Sequence, residues 1–316
     1  MVRFNVKVYN LYQYDKWRKT MKKNYIFAFS TVFMWATLAA VVKKILYDIP
    51  NLEALAISSY ISFAFLLVVN IIAGKTKVMK QMTKKDIGII SGLGFLGLFV
   101  YSALYYYGLS QMTSQEACIV NYLWPIMLVI FSCIILKERL TVMKAVAMIC
   151  SFVGIVVLSM GSGDNSNGNV SLGIISCIIA AACYGLFSVL NKKCNYDQSV
   201  SMMIFWLVAA VCSTILGLLS EEWVSLDGRQ WLGMLWLGIV VDAIAYLLWA
   251  LALNGTGNTA KIANIAYLTP FLSLVVSALL LKEEITLRAL VALVFIIGGI
   301  LLQSLYEQKR EGKSAN

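Results

Sequence analysis

Apolar residues in this chain do not alternate with polar ones at the spacing of a surface helix or a half-buried strand; they come in long, nearly continuous runs. Ten runs reach or approach the roughly 20 residues that a helix needs to cross a bilayer core: 24–42, 51–73, 86–108, 115–136, 142–160, 170–191, 199–219, 230–253, 259–281 and 288–306. The segments between them are short, so neighbouring helices run antiparallel in a compact bundle. No stretch is long enough for a separate soluble domain. The pattern predicts an all-α integral membrane protein with ten transmembrane helices.

Charge sets the expected orientation. Twenty of the 26 Lys and Arg fall in the end and connecting segments 1–23, 74–85, 137–144, 192–193 and 307–316, and only five in the alternate set. Cytoplasmic loops carry the excess of basic residues, so both termini are expected in the cytoplasm of a multi-pass protein of the bacterial inner membrane. Met21-Lys22-Lys23, directly ahead of an apolar run, reads as a natural cytoplasmic start. Residues 1–20 then read as an upstream start-site extension or as an interfacial arm.

The chain also repeats itself. A shift of 145 aligns Tyr101 with Tyr246, Tyr122 with Tyr267, Leu123 with Leu268, Pro125 with Pro270 and Ser132 with Ser277. Leu136-Lys137-Glu138 meets Leu281-Lys282-Glu283, Thr141 meets Thr286, and Gly154 meets Gly299. A proline, a Lys-Glu pair, a threonine and a glycine in fixed register are hard to reach by chance. The expected organisation is a cytoplasmic arm (1–23), a first five-helix repeat (24–160), an external polar linker GSGDNSNGN (161–169), a second five-helix repeat (170–306) and a cytoplasmic tail (307–316). Five is odd, so the second half enters the membrane from the opposite side. Such inverted repeats permit alternating access to a site between them.

Composition agrees with the runs and removes other classes of function. Hydrophobic residues make up 60% and charged residues 13%, against roughly 45–50% and 25% in soluble domains. There is no histidine, so His-based metal sites, Ser-His catalysis and histidine proton relays are excluded. The seven cysteines show no metal-ligand spacing and read as small packing residues. Neither a metal, a cofactor nor a catalytic constellation is expected, which argues against a membrane enzyme. Basic residues placed as topology signals argue against nucleic acid as a partner; the expected partners are lipid and a small-molecule substrate, with a monomer or homodimer as the unit.

Polar and aromatic residues at depth mark the candidate site. Asp242 is the acidic residue nearest the middle of a predicted span, where a carboxylate costs about 2.5–3.5 kcal/mol on insertion scales. Asp242, Tyr246 and Trp249 fall at i, i+4 and i+7 and are expected on one helix face. Tyr101 and Tyr105 share a face of the third helix, and Asn121 and Trp124 precede Pro125 in the fourth. In the ninth, Asn264 and Tyr267 precede Pro270. Trp35 and Tyr184 also sit deep. Paired proline-interrupted segments in two halves point to a binding site. Glu53, Glu116 and Lys261 lie near predicted helix ends, where their side chains can snorkel. Gly92, Gly94, Gly97, Gly298 and Gly299 read as points of close helix approach.

These residues resemble a known family. The two-halved plan, with Lys137-Glu138-Arg139-Leu140-Thr141 after the fourth helix and Lys282-Glu283-Glu284-Ile285-Thr286 after the ninth, is similar to the EamA branch of the bacterial drug/metabolite transporter superfamily. Asn121-Tyr122-Leu123-Trp124-Pro125 looks like the corresponding motif of the aromatic amino acid exporters within it. The resemblance implies a secondary carrier with a central cavity that exports amino acids, aromatic or large apolar ones preferred. The alternative is another small cargo, such as an organic cation or a nucleobase, with proton coupling through Asp242 as a variant of that reading.

Overall fold

The computed structural model describes residues 2–45, 47–137, 141–159, 168–194, 196–254 and 264–314. Among them the ordered elements are helical. Helix α1 (Val2–Ile45) contains the first predicted run and extends back through the expected arm to Val2. Helix α2 (Asn51–Ile72) follows, then a short helix α3 (Thr76–Gln81) in what the sequence presents as a basic connection. The third run is one rod: α4 (Lys84–Gly94), a π-helical stretch Phe95–Val100, and α5 (Tyr101–Gln111). The fourth is broken into α6 (Ser114–Asn121) and α7 (Trp124–Ile135). Helices α8 (Val142–Ser159), α9 (Val170–Lys193) and α10 (Gln198–Ser220) are single. The eighth run repeats the plan of the third, with α11 (Gly228–Leu235), a π segment Trp236–Ile244 and α12 (Ala245–Asn254). The ninth has a 3₁₀ turn, Asn264–Leu268, leading into α13 (Thr269–Leu281), and α14 (Leu287–Ser314) closes the chain.

Seven helices among the described residues are long and apolar enough to cross a membrane. Three shorter apolar helices, Ala145–Gly154, Ile265–Leu281 and Leu287–Leu302, lie at the other three predicted runs. The outer faces of the bundle are aliphatic: Ile72, Leu219 and Leu279 are each more than three-quarters exposed. In water such faces would be a defect; in hydrocarbon they are the expected boundary.

Local geometry recurs at the shift seen in the sequence. Lys137 and Lys282, which end the fourth and ninth segments, both take the left-handed conformation (φ 56° and 57°) that non-glycine residues seldom adopt. Packing crosses between the halves. Helix α2 lies along α10 and α8 along α14, while α1 packs on α12 and α13, and α9 on α5 and α7.

Small residues set several of these approaches. A Cβ on Gly185 of α9 would come within 2.7 Å of the Leu128 amide and the Met127 Cβ of α7. On Gly238 it would meet the Ser58 carbonyl of α2 at 2.6 Å. Gly94, Gly97 and Gly299 also sit in close contacts, as expected. Gly92 and Gly298 face open space and are not approach points.

Polar groups fasten both ends of the bundle. At one end the Glu221 carboxylate accepts from the amides of Leu52 (3.0 Å) and Glu53 (3.2 Å), capping α2 where Pro50 offers no side-chain cap. Glu53 does not snorkel: it is 2% exposed and accepts from the Val224 amide at 3.0 Å. Glu116 forms a capping box with Thr113 at the start of α6, and Lys261 lies outside the described residues. At the far end Lys75 pairs with Asp197 at 2.8 Å, joining the end of α2 to the start of α10.

Candidate functional site

The break in the fourth segment builds the site. Residues 122–123 form a turn in which the Tyr122 amide donates to the Cys118 carbonyl at 3.1 Å and the Leu123 amide to Val120 at 3.1 Å. Pro125 then sits in the first turn of α7, where a missing N–H costs nothing. The break therefore falls just ahead of the proline rather than at it. Pro270 stands in the same place in α13, after the 3₁₀ turn. A proline has no N–H for the carbonyl four residues earlier, which for Pro270 is that of Ala266. The Tyr122 hydroxyl donates to this carbonyl at 2.6 Å, tying the two broken segments together.

Beside this junction lies a cavity of about 80 Å³. Eight of the expected residues line it: Trp35 from α1, Tyr101 and Tyr105 from α5, Asn121 and Trp124 from the broken fourth segment, Tyr184 from α9, and Tyr246 and Trp249 from α12. The walls are aromatic rings in mutual contact. Tyr184 lies 4.9 Å from Tyr101 and edge-on to Trp124 at 5.4 Å, centroid to centroid. Opposite, Trp35 meets Tyr246 at 5.2 Å and Trp249 at 5.4 Å. Such contacts hold large side chains in fixed orientations and leave faces and edges for another ring.

The polar groups are few. The Asn121 amide donates to the Tyr101 hydroxyl at 3.1 Å, which fixes the amide and aims its oxygen. That oxygen, Oδ1, is buried and has no hydrogen-bond partner among the described residues; neither has the Trp35 indole N–H. The Thr269 hydroxyl, also in the wall, likewise has no partner among the described residues; a few such groups inside an aromatic shell can orient a zwitterionic or amphipathic small molecule.

Asp242 is placed otherwise than the helical-face argument predicts. It belongs to a second, smaller chamber of about 20 Å³, and Trp249 does not line that chamber. Asp242 lies in the π segment, whose i→i+5 bonding departs from the 3.6-residue turn that the face argument assumes, while Tyr246 lines both chambers. Tyr267 packs partly buried against the core and is not part of the cavity wall, and the side chain of Asn264 lies outside the described residues. Sequence reasoning did not place Leu38, Cys118, Tyr122 and Thr269 in the cavity wall. Tyr122 and Thr269 had a signal, since each flanks a helix break next to a proline; Leu38 and Cys118 had none.

The end of the bundle near Glu53 and Glu221 carries a second fastening. Glu283 caps α6, accepting from the amides of Ser114 (2.9 Å) and Gln115 (3.2 Å), while the Ser114 hydroxyl lies 2.7 Å from that of Ser277. Lys43, at the end of α1, donates to the carbonyls of Leu109 (2.9 Å) and Met112, which end α5 and the turn after it.

Comparison with known proteins gives two matches to one family, over residues 22–160 and 171–305. The chain belongs to the EamA-like transporter family. Within the curated EamA-type relatives, a transporter of Archaeoglobus fulgidus is 31% identical over 89% of this chain and 98% of its own length. The aromatic amino acid exporter YddG of Ancylobacter novellus is 25% identical over 90% of this chain and 98% of its own. The uncharacterized transporter YvbV of Bacillus subtilis is 25% identical over 86% and 88%. A solved crystal structure at 23% identity superposes with a TM-score of 0.68, covering 92% of this chain and 99% of that one, which supports the fold. Members of this family are transporters and not enzymes, and this chain is a multi-pass membrane transporter of the drug/metabolite type.

Proposed function

We propose that the protein is a secondary exporter of amino acids with aromatic or large apolar side chains, sited in the bacterial cytoplasmic membrane with both termini inside. It works by alternating access between two inverted five-helix halves, residues 24–160 and 170–306. The observation that carries this reading is the shell of rings around Asn121 Oδ1, a buried acceptor with no partner among the described residues. A cargo ring would lie among Tyr101, Tyr184 and Trp124 on one side and Trp35 and Trp249 on the other. Its ammonium group would donate to Asn121 Oδ1, and its carboxylate would accept from the Trp35 indole. The Ancylobacter relative, an aromatic amino acid exporter, supports the cargo class. An organic cation as cargo is favoured only by Asp242, which lines the side chamber and not the cavity.

The test is counterflow in vesicles holding the purified protein, with labelled phenylalanine, tryptophan, threonine and a cationic dye. Phenylalanine and tryptophan should exchange saturably. Trp124→Ala, which removes a wall and a ring contact, should raise the half-saturation concentration about tenfold, or about 1.4 kcal/mol. Exchange of the dye without any amino acid would reject the proposal.

A further inference from the structure

Asp242 is only 5% exposed, and its Oδ2 has no hydrogen-bond partner among the described residues. It opens on the side chamber, whose walls also include Ser102, Tyr106 and Trp206. Trp35, Leu38, Tyr101, Tyr105 and Tyr246 line both this chamber and the cargo cavity, so the two adjoin along these side chains. The Trp206 indole donates to the main-chain carbonyl of Asp242 at 3.2 Å, which clamps the backbone and leaves the carboxylate uncommitted.

The surroundings select the ligand. From α5 and its neighbours the titratable groups that face the carboxylate are the phenols of Tyr101, Tyr105 and Tyr106, and from α12 that of Tyr246. The facing residues of α1 (Trp35, Leu38) and α10 (Trp206) carry no charge. At Gly238 the same π segment lies against Ser58 and Ile61 of α2, which are also uncharged. With no Lys or Arg among the described residues of the chamber wall, an ionised carboxylate at this depth meets no counter-charge there. A space of about 20 Å³ holds roughly one water molecule. It excludes an amino acid, and a metal cation would need several converging oxygens where much of this wall is Leu38, Val241 and indole carbon.

We propose that Asp242 is a proton-binding site separate from the cargo cavity, and that the transporter exchanges its cargo for protons bound and released there. The step is a simple transfer: hydronium gives its proton to the carboxylate, leaving a carboxylic acid and a water, and the reverse reaction restores both. Tyr246 and Trp35, common to the two chambers, let cargo and proton sense one another through the same rings. The exchange part of this inference rests on the transporter reading above; the proton site itself does not depend on which cargo is carried.

Two measurements on the full chain in lipid vesicles test it. Infrared difference spectra across a pH titration, without cargo, should show a protonated-carboxyl band in the wild type that is missing in Asp242→Asn. In the second, an imposed pH gradient should drive phenylalanine accumulation in the wild type. The ratio of that accumulation to gradient-free counterflow should fall at least tenfold in Asp242→Asn and largely recover in Asp242→Glu. A missing band in the wild type, an unchanged ratio, or accumulation driven by sodium in place of protons would overturn the proposal. So would loss of phenylalanine exchange in Asp242→Asn with retained exchange of its deaminated analogue, which would assign the carboxylate to the cargo amine. Wild type that shows the band yet exchanges no amino acid would support the proton site and reject only the proposed cargo.

Discussion

The hydroxyl of Tyr122 donates at 2.6 Å to the carbonyl oxygen of Ala266, four residues ahead of Pro270 in the other broken segment. A polar backbone group in a membrane core must find a partner inside the protein. Here a side chain of one broken segment meets a main-chain acceptor of the other. Tyr122→Phe removes this tie between the two segments, at a cost of about 1 kcal/mol. Thermal unfolding of the detergent-solubilised protein should register that loss, whereas an unchanged midpoint would mean that the carbonyl finds another donor.

Gly185 fixes how closely α9 approaches α7. Its missing side chain is occupied by main-chain and Cβ atoms of Met127 and Leu128, which cannot rotate away. Gly185→Ala should therefore force the helices apart and cost about 1–3 kcal/mol, as overpacking does. Gly92→Ala, where nothing lies within 4 Å, serves as the control and should leave the unfolding midpoint in place or raise it slightly.

Glu283 reaches from the end of α13 to the start of α6, so it locks two segments that both border the cavity. Glu283→Gln keeps the shape but removes the negative charge at a helix N-terminus, a change of about 1 kcal/mol. If alternating access requires this end to separate, the weaker lock should raise the accessibility of a cysteine placed at Ser114 to a water-soluble thiol reagent. Equal labelling in both backgrounds would show that the contact does not gate this end.

Asp197 caps α10 through the amides of Ser199 and Val200 and pairs with Lys75. Burial pushes its carboxyl up, but the hydrogen bonds from Lys75 and Val200 outweigh this and hold it below the ordinary carboxylate range. A depressed folded-state pKa means that its stabilisation is full above the unfolded value of about 3.9 and is lost as pH falls through the folded one. Asp197→Asn should be less stable than wild type at neutral pH, by about 1 kcal/mol for a partly exposed pair. That gap should close as pH falls through the depressed folded-state value; a gap that stays constant with pH would show that charge plays no part.

The sequence by itself determined the helical runs, because a bilayer demands length and apolarity that composition reports directly. It also determined the register of the repeat, visible in Pro125 with Pro270 and in Leu136-Lys137-Glu138 with Leu281-Lys282-Glu283. Eight of the expected site residues, Trp35 and Trp249 among them, could be read there because aromatic residues deep in a span are conspicuous. Only the tertiary structure placed Asp242 and Trp249 in different chambers, and the π segment Trp236–Ile244 that holds Asp242 leaves no mark in composition. Only the structure revealed that Glu53 is buried, for its partner is the amide of Val224, 171 residues away. Leu38 and Cys118 enter the cavity wall for the same reason. Helix periodicity specifies what one helix presents, whereas a cavity is fixed by how several helices are rotated against one another, and that rotation is set by packing contacts distant in the chain.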